Sequence, residues 1–382
     1  MKKIFTVFLC ILISVSLFAQ EDVRTMGMGG KHVTDFSDIY TITKNPASLG
    51  FSGKHSLYTN FQLSLNGPLN EYYDLANTII ESTENTEEFD ISKVVSDLVL
   101  KNNGLYTGAN FVGPIQFGFI NNGFGLMFSE NIYMDATIPS ITLANVNVGL
   151  QSNLTIAYGR KIDLGLNDIA FGVSATGIAK VIDVGLNGSL TDILSMTSSI
   201  PTTTALGYSI SAGVHYSFAN LINVGLVWND IYAPTYSIDS PFFEINLDEE
   251  TEKAEKNTSF ENSIVTVKPS SVSVGIGIKI PTSFTFGIIS SWTAYVDHEN
   301  ILVFFDENNL RNPILGFNAG TELELFKTIR LRLGINESYL SAGVGLKLGV
   351  FHVDAAIFGS ELGLEPGAKP NLNAALSISF HK

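Results

Sequence analysis

The 382-residue chain holds 22 Lys and Arg against 37 Asp and Glu, a formal net charge of −15 with no basic cluster, which excludes a surface built to neutralise nucleic-acid phosphates. Hydrophobic residues make up 45% and charged residues 15%, against roughly 25% charged in an ordinary soluble domain. Beyond residue 20 no run approaches about 18 consecutive apolar residues, which excludes a helical membrane protein and leaves alternate strand residues to carry the apolar surface.

Residues 1–20 read as a secretory signal. Lys2 and Lys3 form its charged start, Ile4 to Val15 is apolar but for Thr6 and Ser14, and Leu17-Phe18-Ala19 offers a cleavage site before Gln20. Cys10, the one cysteine, lies inside it and is followed by Ile11 rather than a small residue, which argues against a lipoprotein box. The mature chain then has neither disulfides nor thiolate metal sites.

Residues 21–54 lack the alternation of a wall strand. Gly27, Gly29 and Gly30 permit turns closed to other residues, and Asn45-Pro46 sets a rigid turn. A compact irregular segment ahead of a barrel needs partners for its backbone groups, and inward-facing polar side chains of a lumen supply them. The segment is expected to be a plug, or hatch.

Period-2 segments bounded by turn residues then recur about fourteen times, at 55–65, 105–120, 123–136, 145–160, 168–182, 205–218, 222–236, 264–280, 283–297, 313–326, 328–336, 339–348, 350–359 and 370–380. In the last, Leu372, Ala374, Leu376, Ile378 and Phe380 alternate with Asn371, Asn373, Ala375, Ser377 and Ser379. One apolar face and one small or polar face suit a wall between lipid and lumen. The fold class expected is all-β: a transmembrane antiparallel barrel of about 14 strands over 55–382, with the N-terminal hatch in its lumen. A soluble β-sandwich would alternate too, but would not need so apolar a surface. An even strand count places both chain ends in the periplasm.

Connections after even strands are expected to be short and those after odd strands long. On these spans they do not alternate strictly, and the tight turn at Asn336-Glu337-Ser338 has no assigned side. Within the loop at 66–104, Ile91, Val94, Val95, Leu98 and Val99 recur at helical spacing and predict an amphipathic helix near the outer mouth. Residues 248–262 are charged and read as a solvated external loop.

Two sets of charged residues are candidates for ligand contact. Arg330 and Arg332 lie opposite Ile329, Leu331 and Leu333, so they should point inward, where two arginines can hold a carboxylate headgroup. Glu322 and Glu324 share that inner face, and a three-residue turn pairs Glu324 with Arg330 and Glu322 with Arg332, so ion pairs account for all four. His352 and Asp354 also share an inner face, but no Gly-x-Ser-x-Gly and no metal-ligand spacing accompanies them, so neither catalysis, a cofactor nor a metal is expected. Tyr158, Trp228, Trp292 and Tyr295 lie near predicted strand ends and read as an interfacial girdle.

The chain resembles the FadL-type outer-membrane transporters and their PorV-like relatives. The resemblance rests on Gly-Met-Gly-Gly at 27–30, the aspartates at 35 and 38, and Asn45-Pro46-Ala47 followed by Leu49; late in the chain Arg332 to Asn336, Ala342 to Leu346 and Glu361-Leu362-Gly363 fit as well. It covers about 40 residues at the start and 50 at the end. It implies a fourteen-stranded barrel in the bacterial outer membrane, filled by a hatch in which Gly29, Gly30, Asn45, Pro46 and Ala47 would govern passage; a plain structural turn is the other reading of Asn45-Pro46-Ala47. It also implies passive uptake of hydrophobic compounds, plausibly long-chain fatty acids, collected at an external apolar site near the 66–104 loop. PorV-like relatives suggest instead a barrel docking a secretion partner. Expected partners are thus hydrophobic small molecules, outer-membrane lipid and the barrel assembly machinery, the last through the strand at 370–380.

Overall fold

The structure, a computed structural model, describes residues 22–53, 55–69, 71–72, 91–194, 200–201, 203–238, 244–245 and 264–381. The predicted signal at 1–20 and the whole of the 248–262 loop lie outside the described residues. Fourteen strands form the wall: β1 His55–Asn66, β2 Leu105–Asn121, β3 Phe124–Ser140, β4 Leu143–Asp163, β5 Asn167–Gly188, β6 Thr203–Phe218 and β7 Ile222–Tyr232, followed by β8 Ser271–Lys279, β9 Ile289–His298, β10 Phe317–Leu325, β11 Ile329–Asn336, β12 Tyr339–Leu348, β13 Phe351–Glu361 and β14 Pro370–His381. Each pairs antiparallel with its sequence neighbours, and β14 closes the ring on β1, from Tyr58↔His381 to Asn66↔Asn373. Short extensions at Pro234–Ile238 and Ile264–Val267 lengthen the β7–β8 hairpin beyond the ring.

Closure leaves no unpaired edge, the condition for strands to cross hydrocarbon. The faces differ as the period-2 pattern requires. Phe61 and Leu63, Leu154 and Ile156, Leu331 and Leu333, and Leu376 and Ile378 point outward and are exposed. Asn60 and Gln62, Thr155, Arg332, and Ser377 and Ser379 point inward and are buried. No described helix is long and apolar enough to cross a membrane; this chain crosses with strands. A closed antiparallel barrel with an apolar outer belt and a polar interior is a bacterial outer-membrane wall.

All fourteen spans expected from the sequence correspond to wall strands, with three starts moved. The eighth wall strand begins at Ser271 rather than 264, because 264–267 pairs with the extension at 234–238 beyond the ring. The ninth begins at Ile289 rather than 283, because residues 283–285 form a 3-10 turn and Phe286 takes a left-handed φ of 52°. The tenth begins at Phe317 rather than 313, because Asn312 caps a 3-10 turn at Pro313–Gly316, its side chain accepting from Ile314 N.

As on the expected spans, connection length does not alternate strictly. At the end where β1 begins and β14 finishes the connections are 122–123, 164–166, 219–221, 280–288, 326–328 and 349–350; at the other end they are 67–104, 141–142, 189–202, 239–263, 299–316, 337–338 and 362–369. Two external turns, 141–142 and 337–338, are as tight as periplasmic ones, and these obscured the pattern. Asn336-Glu337-Ser338 is thereby placed on the external side.

Among the described residues, α-helices run over α1 Val23–Gly27, α2 Thr41–Lys44, α3 Ile91–Lys101 and α4 Leu190–Leu194. Helix α3 is the amphipathic helix expected over 91–99. Its Val95, Leu98 and Val99 pack with Leu190 of α4 on Leu105, Ala136, Ile138, Ala144 and Val146. Ala136 and Ile138 share parity with the outward Ile132, and Ala144 and Val146 with the outward Leu154, so α3 leans on the outside of the rim over β2–β5.

Candidate functional site

Residues 22–53 touch the inward faces of ten strands, each through a glycine. A side-chain carbon at Gly118 would meet Ile39, and at Gly125 Ile42; Pro46 abuts Gly159 and Gly172, Asn45 abuts Gly213, and Val33 and Thr34 abut Gly225 and Gly277. On the far wall Met28 abuts Gly320 and Gly334, and Gly27 lies against Gly343. The segment thus occupies the lumen: its backbone meets Gly159, Gly172, Gly225, Gly320, Gly334 and Gly343, and the side chains of Ile39, Ile42, Asn45 and Thr34 fill the space over Gly118, Gly125, Gly213 and Gly277.

Local chemistry fixes its path. Asp22 caps α1, its carboxylate accepting from Thr25 N at 2.9 Å. After the helix Gly29 and Gly30 take φ of 90° and 108°. A Cβ on Gly29 would lie 2.5 Å from the Ile335 carbonyl and 2.6 Å from that of Ala319, so this crossing admits only glycine. Asn45 Oδ1 accepts from Ala47 N at 3.0 Å and Asn45 Nδ2 donates to Val33 O at 3.1 Å and Val214 O at 3.3 Å. Pro46 opens the 3-10 turn that follows, Pro46–Gly50. Asn45-Pro46-Ala47 is therefore a capped turn held against β4, β5 and β6. Ser48 Oγ lies 2.6 Å from His215 Nδ1, whose other nitrogen is 3.2 Å from Asn223 Oδ1. These three side chains are buried and bind segment to wall.

Opposite, a buried ion cluster joins the segment to β10–β13. Arg24 Nη1 donates to Asp35 Oδ2 at 2.5 Å and Asp38 Oδ2 at 2.9 Å, while Nε and Nη2 each reach a Glu322 oxygen at 2.9 Å. Lys44 Nζ sits 3.2 Å from Asp22, 3.2 Å from Asp35 and 3.4 Å from Asp38. Three carboxylates of the segment thus share two of its cations. Burial opposes ionisation of Asp35, but Arg24 and Lys44 outweigh it and hold this carboxyl well below its usual range. Asp38 is less well served: burial, reinforced by Asp22 and Asp35, outweighs Lys44 and Arg24 and raises it to about 6.

β10 and β11 pair Glu324 with Arg330 and Glu322 with Arg332. Arg330 Nε donates to Glu324 at 3.0 Å, and Arg332 Nε to Glu322 at 2.7 Å. Glu322 therefore receives both Arg24 and Arg332. Arg332 Nη1 also approaches Asp354 to 2.6 Å, a charge contact without an aligned hydrogen bond. His352 makes no contact with Asp354 that would orient it as a base; it stacks on His381, ring centres 3.9 Å apart. Between the segment and β1, β13 and β14 lies a polar cavity of about 490 Å³ whose walls include Asp38, Tyr58, Glu322, Lys347 and His352.

The girdle assignment holds for Tyr158 and Trp228, which face outward and are exposed. It fails for Tyr295. That residue faces the lumen and stacks on His32 at 4.7 Å, with Asp297 Oδ2 2.7 Å from His32 Nδ1. Arg24, Lys44, His32 and Asp297 were not singled out from the sequence. A signal for the seat was present, since Gly213, Gly275, Gly277 and Gly343 fall on inward positions, but it reads equally as a small-residue lumen face.

No protein-family model matches the chain, and no curated protein does. Among solved structures it is similar to the toluene transporter TodX of Pseudomonas putida, at 10% identity over 97% of this chain and 99% of that one, with a TM-score of 0.49. It is similar also to the toluene transporter TbuX of Ralstonia pickettii, at 12% identity, 93% and 96% coverage and a TM-score of 0.45. A FadL homologue of Pseudomonas aeruginosa gives 10% identity, 93% and 97% coverage and a TM-score of 0.44.

Proposed function

We propose that this barrel is a FadL-type outer-membrane transporter that admits hydrophobic compounds passively, with residues 22–53 as a movable hatch and no catalytic step. The observation that carries the gated part is the seating of that segment. Its backbone and side chains lie against glycines on ten strands, and its Arg24 is held by Glu322 of the wall. Anything passing along the lumen must displace it, which separates this reading from an open diffusion porin. Both the hydrophobic class and its finer form, long-chain fatty acids, rest on the resemblance at residues 27–30 and 45–49.

Uptake by cells lacking their own hydrophobic-compound channels tests the proposal. Toluene (the compound named for two of the similar barrels) and oleate should enter faster when the chain is expressed, and a small hydrophilic sugar should not. Equal entry of the sugar would return the barrel to the open porins. No entry of any of the three, with a protein partner retained in mild detergent, would favour a docking role instead.

A further inference from the structure

Charge is not spread evenly over this chain. The connections at the external end carry 22 acidic residues against 6 basic ones, so the whole of the formal charge of −15 lies at that mouth. Four described cations at this end are already held by carboxylates: Lys101 by Glu71 at 3.0 Å, Lys180 by Asp183 at 2.9 Å, Lys268 by Asp230 at 2.7 Å and Arg311 by Glu337 at 2.7 Å. A mouth of one sign concentrates compounds of the other and slows the arrival of its own.

Below the mouth the inward face of β3 carries Asp135, Tyr133 and Asn131 in succession, and Asn110 of β2 lies opposite Tyr133. Asp135 stands five residues from the external end of β3 and ten from Gly125, where Ile42 of the N-terminal segment rests. An entering compound therefore meets Asp135 before it meets the segment. Asp135 and Asn131 are only 8% and 9% exposed, yet Asp135 Oδ2, Asn131 Oδ1 and Asn110 Oδ1 have no hydrogen-bond partner. Such atoms are costly to bury unless a donor comes to them. The neighbouring donors are spent elsewhere: the Tyr133 hydroxyl donates to Asp183 Oδ1 at 3.0 Å, and Lys180 Nζ to Asp183 Oδ2 at 2.9 Å. The patch thus holds two carboxylates and one cation. Asp135 fixes the sign of what can complete it, because an amide presents donors or acceptors but a carboxylate only accepts. A carboxylate arriving here would add a third negative group. The wall cations Arg330 and Lys347 lie by the periplasmic turns, past the segment.

We propose that this patch receives a protonated amine, with Asp135 as its counter-ion and Asn131 and Asn110 as further acceptors, so that among hydrophobic compounds of one size the barrel admits an alkylammonium ahead of an alkyl carboxylate. An ammonium brings three donors and one positive charge, which the three unpartnered oxygens and the surplus carboxylate lack. The proposal rests on the transport reading above and narrows its substrate class. Attraction at the mouth brings the cation in, and Asp135 holds it on the external side of the segment until that segment moves.

Entry of decylamine, decanol and decanoate into cells expressing the full chain and lacking their own hydrophobic-compound channels tests this. The assay runs at pH 7 and low salt, where the first is a cation and the last an anion, and each rate is corrected for cells without the chain. Decylamine should enter about tenfold faster than decanoate, the lower range for focusing by charge, and added salt should shrink that ratio. Asp135→Asn should remove most of it. Asn131→Lys sets a cation two residues from Asp135 on the same face, and should do so by another route if the first variant fails to assemble. A ratio near one in the parent, or a ratio that neither variant lowers, would overturn the proposal. Decanol reports transport itself. Should it not enter, the transport reading fails on its own, and equilibrium dialysis of the purified barrel decides the site: retention of decylamine by the parent but not by Asp135→Asn supports it, and equal retention overturns it.

Discussion

Arg24 and Glu322, 298 positions apart in the chain, meet in a two-point ion pair, Nε to Oε2 and Nη2 to Oε1 both at 2.9 Å. One partner belongs to the irregular N-terminal segment and the other to the wall; Arg24 is buried and Glu322 partly so. Removing Arg24 leaves Glu322 with Arg332 but takes a cation from the buried Asp35 and Asp38, and breaking such buried pairs costs up to about 3–5 kcal/mol. Arg24→Ala leaves Asp35 and Asp38 with Lys44 alone, so the segment should unseat while the barrel stays closed. Planar-bilayer recordings should then show long openings absent from the parent, and protease should cut within residues 22–53. Unchanged conductance together with unchanged cleavage would mean that this cluster does not hold the segment.

The glycine seat makes a separate prediction from sterics alone. A side chain at Gly320 would collide with the Met28 carbonyl, and one at Gly172 with Pro46 and Ala47. Gly320→Val and Gly172→Val should therefore displace opposite ends of the segment without touching an ion pair. Gly177→Ala, whose added carbon meets only the Leu154 carbonyl at 4.0 Å, is the control. Antibiotic sensitivity of expressing cells should rise for the two valine variants and stay at the parent level for the control. Equal sensitivity in all three would show that the segment tolerates loss of the close approach.

The wall was legible because each strand has two chemically distinct neighbours, and the period of 2 records that directly, as in Leu340, Ala342 and Val344 against Ser341, Gly343 and Gly345. Starts at Ile289 and Phe317 were less legible, since 3-10 turns carry apolar residues without a period. The seat was legible only as glycines on inward positions, not as contacts. Contacts such as Met28 with Gly320 or Arg24 with Glu322 join residues some 300 positions apart, and no local pattern marks which inward glycine faces which turn. Tyr295 went to the wrong face for a related reason: an aromatic near a strand end suits either lipid or lumen, and only the stack on His32 decides.

Acidity should act on the segment through the same cluster. Asp38, at about 6 when seated against about 3.9 for a free aspartate, binds more protons seated than free between about pH 4 and 6. Seating therefore weakens as pH rises through that window. Asp35, held well below 3.8, has the opposite sign: its contribution is present above about pH 4 and is lost as pH falls through its seated value. Protection of residues 22–53 from protease should thus be greatest near pH 4 to 5. Asp38→Asn should flatten the decline toward neutral pH and leave the acid limb intact. A parent profile flat from pH 4 to 7 would exclude Asp38 as the titrating group.

Glu324 and Arg330 separate a structural pair from a ligand contact. Their bond spans adjacent strands at 3.0 Å, partly exposed at the edge of the polar cavity. As a cross-strand pair it contributes about 0.2–1 kcal/mol. Arg330→Ala should then lower thermal stability slightly and leave oleate uptake unchanged, and the swap Glu324→Arg with Arg330→Glu should restore the stability. A headgroup contact predicts otherwise. It needs the guanidinium at position 330 itself, so Arg330→Ala should raise the oleate concentration for half-maximal uptake and the swap should not recover it. Arg332 is unsuited to the same test, because it also holds Glu322, which anchors Arg24. Its loss would unseat the segment and change uptake for a reason unrelated to the headgroup, so position 330 is where the two readings part.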